Sequence, residues 1–131
     1  MRHFSKLSGL LLLLLLSVTA CTTYQWSGSS SVNCTSSFLG GTTKCTVAFT
    51  SAKNFNWTAS STVSGVTIQP SSGSEAAGKS SGDIHVTLPS DACSGSSGAY
   101  TGSLNFTDDA HGLQLSFQIV ASGAGACTLK S

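Results

Sequence analysis

The sequence predicts an all-β fold, an antiparallel β-sandwich of about seven strands. Three observations carry that prediction. Apolar and polar residues alternate with a period of two in runs such as Cys45-Thr-Val-Ala-Phe49 and Leu113-Gln-Leu-Ser-Phe117, the mark of a strand with one buried face. Turn signals rich in Gly, Pro, Ser and Asp interrupt these runs about every 8–12 residues. No stretch after the first 21 residues repeats its apolar positions at helical spacing.

The first segment is a leader. Arg2, His3 and Lys6 precede the 7-leucine run Leu10–Leu16, which reads as a signal peptide over residues 1–20. The 14 residues Leu7–Ala20 reach about 21 Å as a helix, short of the roughly 30 Å hydrocarbon layer. The segment ends Val18-Thr19-Ala20-Cys21, which resembles the lipobox of bacterial lipoproteins. That resemblance implies cleavage before Cys21, diacylglycerol on its thiol, and a chain tied to a membrane of the bacterial cell envelope with its domain outside the cytoplasm. Thr22, in place of aspartate, implies the outer membrane in a host that has one. An ordinary signal peptide cut near Ala20 is the alternative.

Residues 21–32 are rich in Ser and Gly and read as a flexible tether with room for one short strand. Tyr24 and Trp26 lie in it, either packed against the edge of the domain or available as ligand contacts. The domain proper is expected over residues 33–131. A strand over Asn33–Phe38 turns at Leu39-Gly40-Gly41-Thr42 into a second carrying Cys45, Val47 and Phe49. A two-residue turn at Leu39-Gly40 sets Cys34 opposite Cys45; a turn centred on Gly40-Gly41 shifts the register by two.

Phe55, Trp57 and Ala59 share one face of the third strand, so Trp57 is expected in the core with a partner for its indole N–H. Val66 and Ile68 form a short strand ending at Pro70-Ser71-Ser72-Gly73. Ile84, Val86 and Leu88 point one way until Pro89, and the loop Ser90–Gly98 holds Cys93. Tyr100, Gly102, Leu104 and Phe106 then alternate toward the turn Asp108–Gly112, followed by Leu113, Leu115, Phe117 and Ile119. A turn centred on Ala110 pairs Phe106 with Gln114, and the extended register brings Cys93 near Cys127. With Cys21 set aside, four cysteines remain, an even set in an exported chain. Of their three pairings, strand geometry favours Cys34–Cys45 and Cys93–Cys127.

Composition narrows function. Cleavage before Cys21 leaves 111 residues, one domain. Only 8% of the chain is charged, against about 25% in an average protein, so Ser, Thr, Gly, Asn and Gln must cover the surface. Four scattered lysines, Lys44, Lys53, Lys79 and Lys130, face five carboxylates, which removes the basic patch that nucleic-acid binding needs. Glu75 is the only glutamate, which rules out a Glu pair of glycosidase type. His85 and His111 sit in no nucleophile or metal motif, and Asp108-Asp109-Ala110-His111-Gly112 is explained by turn chemistry, with Gly112 supplying positive φ. The reading is therefore non-enzymatic, with no catalytic set, no metal and no cofactor.

The strand count, turn spacing and tryptophan-bearing third strand point to the immunoglobulin-like class of sandwich. The runs Phe55-Asn-Trp-Thr-Ala-Ser60, Val66-Thr-Ile-Gln-Pro-Ser-Ser-Gly73, Asp83-Ile-His-Val-Thr-Leu-Pro89 and Gly98-Ala-Tyr-Thr-Gly-Ser-Leu-Asn-Phe106 resemble BACON-type and related bacterial immunoglobulin-like modules. The resemblance covers roughly residues 45–121 and rests on turn and core positions. It implies a module without chemistry of its own, acting as a structural element or binding an envelope protein or glycan. A carbohydrate-binding module is the alternative function, and an inhibitor of a lytic enzyme a third.

Overall fold

A computed structural model describes residues 26–37 and 41–131. The expected leader, Cys21, Tyr24 and the turn residues Leu39-Gly40 lie outside the described residues. The remainder forms two antiparallel sheets. The first has the order β1 (Gly28–Ser36), β2 (Thr43–Ser51), β6 (Ile84–Leu88), β4 (Thr67–Gln69). The second runs β5 (Ser72–Glu75), β3 (Phe55–Ser61), β7 (Tyr100–Asp108), β8 (Leu113–Gly123), β9 (Ala126–Lys130). Taken in chain order, β1-β2-β6-β4 is the A-B-E-D sheet of a constant-type immunoglobulin domain and β3-β7-β8 is its C-F-G sheet. Strand β5 is added outside β3, and β9 outside β8.

Alternation decides which side chains meet between the sheets. Val47, Phe49, Ile84, Val86 and Leu88 face Phe55, Trp57, Leu104, Phe106, Phe117 and Ile119, and all of these are buried. In immunoglobulin domains the tryptophan of the third strand packs on a disulfide joining the second strand to the sixth in that lettering. Here Trp57 packs on two phenylalanines from the equivalent strands, Phe49 at 5.7 Å and Phe106 at 5.4 Å between ring centroids. Those two rings are themselves 5.3 Å apart. Edge-to-face aromatic contact thus joins the sheets where a covalent bond does so elsewhere.

Trp57 is in the core, as its position on the strand requires, and its indole N–H donates to Glu75 Oε1 at 3.5 Å. The opposite strand gives it room: Gly73 lies across from Trp57 in the ladder, and a Cβ there would come within 2.6 Å of the indole ring. Gly102 has a comparable role, since a Cβ on it would strike the Val63 side chain at the bulge that follows Tyr100. Both glycines belong to the runs on which the resemblance rests. Their physical reason is close packing.

Several expectations are corrected. Nine strands are present among the described residues instead of about seven, the additions being β5 and β9. Ser72-Gly-Ser-Glu75 has no apolar residue to announce a strand, and only its pairing with β3 makes it one. Cys127 and Leu129 do alternate with exposed or half-exposed neighbours in β9, so that signal was legible. Strand β1 begins at Gly28, so the last residues of the expected tether are sheet. In the loop after Pro89, Ser90–Cys93 forms a short 3-10 turn.

The β7–β8 register also differs by one from the expected one: Phe106 faces Leu115 and Thr107 faces Gln114. Opposed residues in an antiparallel pair lie on the same face, so a core phenylalanine cannot oppose a solvent-facing glutamine. A four-residue connection, Asp109–Gly112, satisfies both faces, with Gly112 at φ 64°.

Both disulfides have the expected partners. Cys34 and Cys45 are opposed in the β1–β2 ladder with Cα atoms 4.0 Å apart. Cys93–Cys127, at 5.2 Å, forms by a different route from the one the register suggested. Strand β9 pairs with β8 and not β7, and Cys93 leaves the 3-10 turn to reach it at the end of the sandwich. Nearby, the buried Thr43 hydroxyl accepts the Cys127 amide at 3.1 Å and ties the edge of β9 to the other sheet.

Candidate functional site

The chain enters the domain beside the loop between β2 and β3, where Ala52 N donates to Ser27 O at 2.7 Å. Three connections converge at this end, the β2–β3 loop, the segment between β5 and β6, and the β7–β8 turn. Asn54 Oδ1 accepts the Ala77 amide at 3.0 Å, and Gly78 N donates to Ser51 O at 2.8 Å. Together they frame an open cleft of about 680 Å³ lined by Ala52, Lys53, Asn54, Ala77, Ala110, His111 and Leu113. Its walls are alanine and leucine, with three polar side chains on them.

Beneath the cleft lies the buried carboxylate of Asp108, which ends β7. Its Oδ2 accepts the Asn56 amide at 3.0 Å and the His111 Nδ1–H at 2.9 Å. Burial raises the pKa of this carboxyl, but the hydrogen bond from His111, the Asn56 amide and the charge of the imidazole outweigh burial and hold it below the ordinary 3.8. The His111 side chain is itself 57% exposed. A carboxylate orienting an imidazole is one half of a general-base arrangement, yet no described hydroxyl or thiol side chain hydrogen-bonds His111. What the geometry does achieve is to lock the β7–β8 turn onto the start of β3.

The lock carries a pH dependence with a definite sign. A folded-state pKa below the unfolded value means that the unfolded chain binds the proton first, so stability is present above the unfolded pKa and is lost as pH falls through the folded one. Asp108→Ala is expected to cost about 1–3 kcal/mol at neutral pH, because it leaves the Asn56 amide without its acceptor. Urea titrations of both proteins between pH 7 and pH 2 should show that gap narrowing as pH falls past the ordinary carboxyl value of 3.8 and on through the lower folded one; a gap constant across the range would show that the carboxylate's charge contributes nothing.

The other candidates are dispersed. Trp26 is half-buried with its ring packed against the core, and its indole N–H is enclosed without a partner among the described residues. Cys21 and Tyr24 lie outside the described residues. No group of His, Cys, Asp and Glu among the described residues is placed to hold a metal ion. Missed by the sequence reading was the outer face of the second sheet, where uncharged side chains hydrogen-bond to one another. Ser116 Oγ donates to Asn105 Oδ1 at 2.7 Å, Gln114 Nε2 to Ser116 Oγ at 2.8 Å, and Asn105 Nδ2 to Ser103 Oγ at 3.2 Å. Polar alternation placed these residues outward, but only the observed β7–β8 register sets them side by side. Comparison with known protein families, curated proteins and solved structures finds no match to this chain.

Proposed function

We infer that this protein is a lipid-anchored, non-enzymatic module of the bacterial cell envelope that holds a disulfide-stapled immunoglobulin-like domain outside the cytoplasm for a structural or binding role. The observation that carries the reading is Val18-Thr19-Ala20-Cys21 at the end of an apolar leader. Two disulfides fit an oxidising compartment, and the resemblance of residues 45–121 to BACON-type modules fits a non-catalytic part. Only five residues separate Cys21 from Ser27, at most about 22 Å of extended chain. Lipid on Cys21 would keep the cleft end near the membrane and turn the opposite end outward, where Tyr100 is 62% exposed.

Metabolic labelling with radioactive palmitate tests the anchor. The wild-type protein should take up label and sediment with membranes, and Cys21→Ser should do neither. An unlabelled wild-type protein, or a Cys21→Ser variant still held in the membrane fraction, would overturn the reading.

Carbohydrate binding is the second reading, favoured by the uncharged hydroxyl and amide array of Ser103, Asn105, Gln114 and Ser116. Such an array offers the donors and acceptors that neutral sugars use. Retention of the protein on an insoluble polysaccharide, lost on changing Asn105 and Gln114 to alanine, is the result that reading requires.

A further inference from the structure

A sheet edge presents unpaired N–H and C=O groups, and natural proteins keep such edges short, charged, bulged or covered. Three of the four edges here follow that rule. Strand β4 has 3 residues and β5 has 4. Strand β9 has 5, ends at Lys130, and has its Cys127 amide bonded to Thr43. Strand β1 departs from it: its 9 residues, Gly-Ser-Ser-Ser-Val-Asn-Cys-Thr-Ser, hold no charge and no proline, and they pair with β2 in one unbroken register from Gly28↔Ser51 to Ser36↔Thr43.

The open groups can be identified. Ala52 N donates to Ser27 O at one end of the ladder and Ser37 N to Thr42 O at the other. Opposed residues in an antiparallel ladder alternate between exchanging both hydrogen bonds and exchanging none. The odd-numbered residues of β1 therefore bond to β2, and Gly28, Ser30, Val32, Cys34 and Ser36 turn their N–H and C=O groups outward. No hydrogen bond takes up those groups among the described residues. Strand β9 approaches at the Ser36 end, through Thr43, while Gly28–Ser31 are exposed.

We propose that the outer edge of β1 pairs antiparallel with the same edge of a second copy of this chain. The edge is self-complementary. A two-fold axis at Ser31 sets Gly28 against Cys34 and Ser30 against Val32 of the other copy, each an outward-facing residue meeting another. The pairing closes about eight main-chain hydrogen bonds and joins the two four-stranded sheets into one. No charged side chain on β1 opposes its counterpart, so the like-charge repulsion that blocks such pairing elsewhere is missing. The interface is isologous and closes at two copies, and it does not depend on lipid at Cys21.

Light scattering coupled to size-exclusion chromatography of the full-length protein in detergent tests it. The wild-type protein mass should double relative to Ser30→Pro, which deletes one outward N–H and leaves the β1–β2 ladder intact. Circular dichroism should show the same fold in both. Ser31→Pro removes an inward N–H instead and should lower the melting temperature. Amide exchange gives a second readout free of mutation: the Ser30 and Val32 amides should slow at high protein concentration and exchange rapidly on dilution. A wild-type protein monomeric up to millimolar concentration, a dimer untouched by Ser30→Pro, or exchange at Ser30 and Val32 that ignores concentration would each overturn the proposal.

Discussion

Trp57→Ala is expected to cost about 3–5 kcal/mol, a large share of the roughly 5–15 kcal/mol that holds a domain together. The indole is 2% exposed and touches the rings of Phe49 and Phe106, one from each sheet, so its removal opens a void where the sheets meet. It also strands the hydrogen bond that Glu75 accepts. Urea unfolding followed by far-UV circular dichroism measures the loss. Gly73→Ala attacks the same contact from the facing strand, where the added methyl must displace the indole ring, and overpacking of this kind costs about 1–3 kcal/mol. Thr58→Ala, the next residue on the exposed face, should stay within about 0.5 kcal/mol. Equal midpoints for Trp57→Ala and Thr58→Ala would show that the sheets are not joined through this tryptophan.

The second large effect is expected from the Cys93–Cys127 disulfide. Its cysteines are 34 residues apart, a loop for which the chain-entropy model gives about 4 kcal/mol, against about 3 kcal/mol for the 11-residue separation of Cys34 and Cys45. Native-state geometry orders the two bonds the same way. Cys34 and Cys45 join residues already opposed in a nine-residue ladder, whereas Cys93 anchors a 3-10 turn that has no place in either sheet. Both Cys93 and Cys127 are buried. Paired replacement by alanine at 93 and 127 should therefore lower the melting temperature more than paired replacement at 34 and 45. Calorimetry on the two double variants reads the order directly, and the reverse order would place the main staple in the hairpin.

The hydrogen bonding of the cleft end bears on how such a module would work. Asn54 Oδ1 and the Ser51 carbonyl accept the loop amides of Ala77 and Gly78, and the Asp108 carboxylate accepts the Asn56 amide of β3. These bonds tie the β2–β3 loop to the segment between β5 and β6, and the end of β7 to the start of β3. With Cys21 lipidated as proposed, this end would lie next to the membrane and leave β1 running outward with its edge open.

Much of this fold is legible in the residues themselves. A side-chain period of two is local, so Val47, Phe49, Phe55, Trp57, Leu104, Phe106, Leu115 and Phe117 disclose their buried face within their own strands. The Cys34–Cys45 pair is legible because a short hairpin fixes which residues oppose. The expectation of a leader over residues 1–20 rests on composition and length alone. Tertiary structure alone decided the rest. Strand β5 is a strand because β3 offers it a ladder, not because of its own side chains. The β7–β8 register turned on a four-residue connection whose length no local pattern specifies, and Cys93 reached Cys127 through a strand order that periodicity does not encode. The cleft and the Asp108–Asn56–His111 lock unite residues more than 50 positions apart, since Asn56 and Asp108 are separated by 52. The long-range bond of that lock ends on the Asn56 backbone amide, a group every residue carries alike, and so it leaves no mark in the sequence.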